Sequence, residues 1–206
     1  MIAIVDYGIG NLHSVSKAVA RLGYSAEVTS EPSRIMDAEG VILPGVGAFG
    51  DAMAQLRAGG LDRTMADYAA SGRPLLGICL GMQLLFTRSE EHGLHEGLNL
   101  LPGDVVRFRG NIKVPHMGWN RLSFLRPSPL LDGLEEGHVY FVHSYYALPE
   151  NEEHLLAVTD YHGRVAAVVG SGNIYGMQFH PEKSGELGMR LLANFLGLTV
   201  RLSSKP

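Results

Sequence analysis

The sequence predicts an α/β domain with helices on both faces of a mostly parallel sheet, and three features of the chain predict it. Short runs that are apolar throughout, such as Ile2–Val5 and Leu75–Ile78, read as strands buried on both faces. Between them stand segments whose apolar residues recur every three or four positions, the spacing of a helix with one buried side. Glycine is abundant, 26 residues in a chain of 206, and it gathers where a strand would turn sharply into a helix.

Taken in order, the first strand, Ile2–Val5, stops at Asp6, Gly8 and Gly10. Asn11 then stands as cap for a helix that carries Leu12, Val15, Val19 and Leu22 on one face and ends at Gly23. Ala26–Thr29 reads as a second strand, and Glu31, Pro32 and Ser33 open a short helical segment. A third strand over residues 41–43 runs into Pro44-Gly45-Val46-Gly47-Ala48-Phe49-Gly50, then a helix with Met53, Leu56 and Leu61 inward. A further helix over Leu61–Ala70 leads through Gly72 to the fourth strand, Leu75–Ile78. This alternation is the signature of a doubly wound sheet, whose ligands sit at the carboxyl ends of its strands.

Beyond Ser89 the character changes. Short β-like runs at residues 105–108, 121–124, 139–142, 155–159, 166–169 and 174–177 are separated by Gly, Pro, Asn and His, with no helical segment between them. They suggest antiparallel strands packed onto the parallel sheet. A last helix over residues 187–195 buries Leu191, Leu192, Phe195 and Leu196, and residues 201–206 read as a flexible polar tail. One domain spanning residues 1–206 is the economical organisation.

Composition narrows the function. Lys and Arg number 17 against 21 Asp and Glu, a formal net charge of −4, so a general nucleic-acid surface is not indicated. A single cysteine excludes an internal disulfide framework and a cysteine-rich zinc site. Residues 1–6 lack a basic leader, and no apolar run approaches a membrane span, so a soluble, cytoplasmic protein is expected.

The chemistry centres on residues 74–86, where an apolar run meets Gly77-Ile78-Cys79-Leu80-Gly81 and then the apolar Met82, Leu84, Leu85 and Phe86 of a helix start. A lone cysteine is more often a small buried hydrophobe than a nucleophile. Set on a strand–turn–helix junction between two glycines, it is instead lifted above the sheet end. There the free N–H groups and the positive end of the helix favour its thiolate, and the Leu80 N–H points where an oxyanion would form.

The glycines at 45, 47 and 50 match G-x-G-x-x-G, but the match follows the third strand, comes after Pro44, and has no acid at a strand end about 20 residues on. A nucleotide cofactor is therefore not expected. The loop is better suited to supplying a second oxyanion donor from Val46 or Gly47. Of nine histidines, His180 is the best base, because it follows the strand at residues 174–177 and so belongs to the same sheet edge as Cys79. Glu182 can accept from its second N–H and hold the tautomer. A solvated surface turn is the bland alternative. His92-x-x-His95 has no third ligand in view, and His180-x-Glu182 lacks the cysteines of a zinc deaminase, so no metal is expected.

Gly77-Ile78-Cys79-Leu80-Gly81-Met82-Gln83 together with His180-Pro181-Glu182 resembles the class I, triad-type glutamine amidotransferases. The likeness runs over nearly the whole chain. Asp6-Tyr7-Gly8-Ile9-Gly10-Asn11, Pro115-His116-Met117-Gly118-Trp119-Asn120 and Phe141-Val142-His143-Ser144-Tyr145 place it closest to the branch that serves histidine biosynthesis. The resemblance implies that Cys79 attacks the amide of glutamine, His180 shuttles the proton and Glu182 orients His180. It implies an oxyanion hole from Leu80, Val46 and Gly47, and glutamine contacts from Gly45, Gly47, Gln83, Ser144 and Tyr145. It further implies a (β/α)₈-barrel cyclase partner that receives the ammonia as a heterodimer with this chain, with Asn11, Met117, Trp119, Tyr140 and Lys183 at or near the interface. On residue type alone Trp119 and Met117 are as well read as core packing and gap filling. A stand-alone γ-glutamyl hydrolase, a glutaminase of another pathway and a non-catalytic flavodoxin-like domain stay open.

Overall fold

A computed structural model of the chain describes residues 1–203. The apolar run at the start forms strand β1 (Ile2–Val5), fully buried. Helix α1 (Leu12–Arg21) turns Val15, Ala18 and Val19 inward and ends before Gly23, whose φ of 86° is the left-handed conformation that a side chain disfavours. Asn11 occupies the cap position, but its side chain makes no capping hydrogen bond, contrary to the expectation from residue type. Next come β2 (Ala26–Thr29), α2 (Pro32–Met36), β3 (Gly40–Leu43), α3 (Phe49–Ala58), α4 (Leu61–Ala70) and β4 (Leu75–Ile78). Gly60, with φ of 68°, breaks α3 from α4, so Leu61 opens the second helix rather than closing the first.

After the elbow the chain departs from the simple alternation. The helix expected to start over Met82, Leu84, Leu85 and Phe86 is only α5 (Leu80–Leu84), and Phe86 already belongs to strand β5 (Phe86–Ser89). Phe86 is fully buried, and as a β former it is satisfied equally well in a strand. Strands β6 (His95–Glu96), β7 (Leu101–Arg107), β8 (His116–Arg121), β9 (Ser123–Phe124), β10 (His138–His143), β11 (Tyr145–Pro149), β12 (Leu155–Asp160), β13 (Arg164–Ser171) and β14 (Ile174–Met177) follow, and helix α6 (Gly185–Ser203) closes the fold. The strand expected at residues 121–124 is in fact the end of β8 and all of β9, divided at the buried Leu122. Of the tail expected over residues 201–206, helical backbone runs on to Ser203 and residues 204–206 lie outside the described residues.

The central sheet has eight strands in the order β2-β1-β3-β4-β14-β13-β12-β9. From β2 to β14 neighbours are parallel; β13, β12 and β9 add antiparallel strands at one side. The later strands thus extend the sheet edgewise instead of packing onto its face. The rest form a β10–β8 ribbon and a four-stranded sheet β11-β7-β5-β6.

Strand residues alternate between two cores. Val5, Leu43 and Leu75 meet Met53, Leu56, Met65 and Tyr68 of α3 and α4. Ile4, Ile42 and Leu76 meet Val15 and Val19 of α1 and Leu191 and Phe195 of α6. Each such fully buried side chain contributes about 1.5–3 kcal/mol of transfer free energy. Burial on both faces is what keeps the strand ends at one rim in fixed register.

Candidate active site

At the end of β4 the chain turns through Cys79, which has φ 55° and ψ −113°. A residue with a side chain adopts this geometry only under strain of about 1–3 kcal/mol. The neighbours explain how it is held. A Cβ on Gly77 would lie 2.5 Å from the Gly81 carbonyl oxygen, and one on Gly81 would lie 1.8 Å from the Leu43 carbonyl oxygen. Only glycine at both positions lets the elbow fold back this tightly on β3. Because α5 is five residues long, Cys79 meets the free N–H groups of one short turn rather than a long helix dipole.

The loop after β3 presses on the same elbow. Tyr7 donates to the Pro44 carbonyl at 2.7 Å, and a Cβ on Gly45 would lie 2.5 Å from the Tyr7 hydroxyl and 3.1 Å from the Gly81 nitrogen. Burial, with the nearby Cys79 adding to it, pushes the Tyr7 phenol well above its usual range, so it stays a donor. Gly47 follows with φ of 92°.

His180 reaches the rim through β14, which lies beside β4 with Met177 opposite Ile78, and the Cys79 N–H donates to the Met177 carbonyl at 2.8 Å. The two segments, 101 positions apart in sequence, therefore leave adjacent strand ends. His180 Nδ1 donates to Glu182 Oε1 at 2.9 Å, with side chains 4% and 2% exposed, which leaves Nε2 for the thiol. Burial opposes the charged imidazole, but hydrogen bonds and charge from Cys79 and Glu182 outweigh it and hold His180 up at about 9. A ring with that proton affinity can take a thiol proton and keep it until a leaving group needs it. The turn is braced from β10: the His180 N–H donates to the Tyr140 carbonyl, and Ser184 Oγ donates to the His180 carbonyl at 2.6 Å.

Cys79 and His180 open into a cleft of about 380 Å³ that Val46, Gly47, Leu80, Gln83, Ser144 and Tyr145 also line. The structure thus gathers the expected triad, both oxyanion segments and the expected glutamine contacts in one place. Gly45 is the exception. It stands behind the cleft and lines a small cavity of about 10 Å³ with Asn11, Pro44 and Glu182. The expected interface residues divide similarly: Met117 and Trp119 are 59% and 57% exposed, and Tyr140 meets Trp119 edge-on at 6.1 Å. Lys183 is exposed beside them, whereas Asn11 is half-buried at the small cavity. The reading of Trp119 and Met117 as core residues is therefore wrong. His95 packs its ring over Gly50 and its Nε2 lies 3.1 Å from the His92 carbonyl, and among the described residues no three ligating side chains gather for a metal.

Residue-by-residue reading missed four groups here. Glu91 is the one carboxylate lining the cleft among the described residues, and its Oε2 accepts from the Phe49 N–H at 3.0 Å. Val142 presents its carbonyl 4.0 Å from Cys79 Sγ. His143 lines the same wall. Gln178, fully buried, donates to Cys79 Sγ at 3.8 Å and accepts from Gln83 Nε2 at 3.1 Å. Glu91 has no local signal, being an acid in a polar turn; Gln178 adjoins the His180 turn and could have been found there.

A nucleophile elbow with an imidazole–carboxylate pair on the neighbouring strand end defines a cysteine hydrolase of the triad type. The sequence pattern of the family "Glutamine amidotransferase class-I" matches residues 3–198, and the chain belongs to that family. It is 57% identical over 204 residues to the imidazole glycerol phosphate synthase subunit HisH of Geobacillus sp. (strain WCH70), covering 96% of this chain and 97% of that one. It is 56% identical over 206 residues to the HisH subunit of Geobacillus kaustophilus (strain HTA426), covering 97% and 98%. Among solved structures, a glutamine amidotransferase crystal structure superposes with a TM-score of 0.78 at 21% identity, covering 97% of this chain and all of that one, which bears on the fold alone.

Proposed function

We propose that this chain is the glutaminase subunit of an imidazole glycerol phosphate synthase, hydrolysing L-glutamine and passing the ammonia to a cyclase subunit in histidine biosynthesis. The observation that carries the reading is the meeting of Cys79 and His180 on adjacent strand ends at one cleft. Cys79 Sγ attacks the side-chain amide carbon while His180 Nε2 takes the thiol proton. Collapse of the tetrahedral oxyanion, held by the N–H groups of Leu80 and of Val46 or Gly47, expels ammonia that carries the proton His180 returns. Water then cleaves the γ-glutamyl thioester to glutamate and restores the thiol. Glu91 offers a counter-charge for the α-ammonium of glutamine, and Gln83, Ser144 and Tyr145 offer polar contacts.

Ammonia released into water at neutral pH is protonated and lost as a nucleophile, so an acceptor site must be coupled directly. The β8–β10 ribbon suits that coupling. Its outward residues Met117 and Trp119 are exposed and apolar, while Val142 and His143, paired across from Met117 and His116, line the cleft. A (β/α)₈-barrel cyclase docked on that face, with Tyr140, Lys183 and Asn11 nearby, would receive the ammonia. The identity above 50% to HisH subunits favours this partner over those of other pathways. No helix among the described residues is long and apolar enough to cross a membrane.

The test is glutamine hydrolysis by the chain alone, with the cyclase, and with the cyclase plus its nucleotide ligand. Low activity alone and a rise of about 10²–10³-fold with both are expected, the worth of one oxyanion donor set in place. Equal rates in all three conditions would overturn the coupling, and strong turnover by the isolated chain would favour a stand-alone hydrolase.

A further inference from the structure

One wall of the cleft holds a buried pair of histidines, His143 at the lining and His116 beside it, that the mechanism does not use. His116 and His143 stand directly opposite each other on β8 and β10, and His116 Nδ1 is 2.9 Å from His143 Nε2. His143 Nδ1 is 2.8 Å from the Tyr145 carbonyl oxygen, and Asn120 Nδ2 is 3.2 Å from His116 Nε2.

The direction of every one of these hydrogen bonds can be deduced. The Tyr145 carbonyl can only accept, so His143 carries its proton on Nδ1. A neutral ring then has a lone pair on Nε2, and His116 must donate to it from Nδ1. His116 in turn accepts at Nε2 from Asn120. That amide is oriented independently, since its Nδ2 donates to the Asp160 carbonyl at 2.8 Å and its Oδ1 accepts from the Arg121 N–H at 2.8 Å. Both rings are neutral at physiological pH, because burial drives His116 down to about 4 and His143 to about 3. His116 is also fixed in plane, stacked on Phe141 with centroids 4.8 Å apart and on Tyr161 at 4.0 Å.

Beyond the Tyr145 carbonyl the run enters the cleft. The same oxygen accepts from Gln83 Nε2 at 3.0 Å, and the second Gln83 hydrogen goes to Gln178 Oε1. With both amide hydrogens committed, Gln83 has its carbonyl oxygen left to offer a ligand. That oxygen can accept from an ammonium or carboxamide N–H and repels a carboxylate.

We propose that His116 and His143 are positioning residues, a one-way hydrogen-bond relay that holds the Tyr145 carbonyl, and through it the Gln83 carboxamide, in the orientation glutamine meets. The proposal rests on the glutaminase reading above. The relay starts at Asn120, one residue from the exposed Trp119, and ends in the cleft. If either ring changed tautomer, a lone pair would face a lone pair, and a change at His143 would also take the donor from the carbonyl that anchors Gln83.

Two substitutions separate this role from packing. His116→Phe keeps the stacked ring and removes the donor; His116→Asn removes the ring and keeps an amide donor where Nδ1 stood. In the full chain assayed with the cyclase and its nucleotide, His116→Phe is expected to raise the KM for glutamine about tenfold with kcat within about threefold, the effect of one unpaired buried group. His116→Asn should return KM to within about twofold of the wild type. A packing role predicts the reverse order, so Asn worse than Phe, or Phe equal to wild type, overturns the proposal. Histidine nitrogen NMR of the wild-type chain decides the matter if neither variant folds: both rings must appear neutral and protonated on Nδ1, and an Nε2–H form of either refutes the relay. A wild type inactive on glutamine under all conditions would instead sink the functional reading, whatever the spectrum showed.

Discussion

The elbow at Cys79 and the ribbon formed by β8 and β10 meet at the same cleft, yet they are built on opposite terms. The elbow is set by backbone exclusion: Gly77 and Gly81 leave no room for a methyl group, and the strained Cys79 is gripped between buried strands. The ribbon is set by side chains, with Val139, Phe141, His143 and His116 buried on one face and Met117 and Trp119 exposed on the other. Reacting atoms need sub-ångström placement, which tight glycine contacts supply. A face that must engage a partner needs accessible apolar surface, which tight packing would remove.

The largest effect expected on the elbow side is from Cys79→Ala, which should lower glutamine hydrolysis by more than about 10⁴-fold in the complex while thermal unfolding shows an intact fold. A surviving rate near wild type would mean the elbow is not the reacting centre. Gly81→Ala tests exclusion itself: with a Cβ forced to 1.8 Å from a backbone oxygen, stability should fall by about 3 kcal/mol or more in denaturant titration. A loss below about 1 kcal/mol would show that β3 yields easily.

A third test concerns charge at the rim. His180 sits at about 9, above its usual 6.5, so its stabilisation is complete below pH 6.5 and is lost as the pH rises through about 9. The loss is at most on the order of 3 kcal/mol. Wild-type unfolding midpoints should therefore fall between pH 6.5 and 9.5 more steeply than those of Glu182→Gln, in which the imidazole keeps less of its raised affinity. Parallel curves would rule out that pairing as the cause.

On the ribbon side the effects should be smaller and confined to binding. Trp119→Ala is expected to leave the isolated chain's stability within about 0.5 kcal/mol, while weakening cyclase affinity by about 2 kcal/mol, or ~30-fold in Kd by titration calorimetry. A destabilised monomer with unchanged affinity would reverse the assignment of this face. Smallest of all should be Arg88→Ala, which removes the exposed Arg88–Asp104 pair at 2.8 Å, away from both regions. Its effect on stability should not exceed about 1 kcal/mol.

Legibility in the sequence followed the same division. In the first 84 residues the apolar runs and helical periods mark nearly every element, because a strand covered on both faces has no freedom to be polar. The later strands were harder to see. Phe86–Ser89 and Tyr145–Pro149 mix apolar and polar residues over four or five positions, and their pairing with β7 is decided by partners far along the chain. At the site, Cys79 and His180 are marked in the sequence because each follows an apolar strand. Glu91, an acid in a polar turn, carried no comparable mark.

What the chain alone determined is the order of strands and turns and the chemical character of its two key loops, since periodicity and glycine placement act over a few residues. That β14 enters the sheet next to β4, so that sulfur and imidazole share one cleft, was decided by tertiary packing. So were the burial of His116 against His143 and the exposure of Trp119. A local pattern constrains the residues within reach of one turn or one strand, whereas proximity across a hundred positions is chosen by how the whole chain buries its apolar surface.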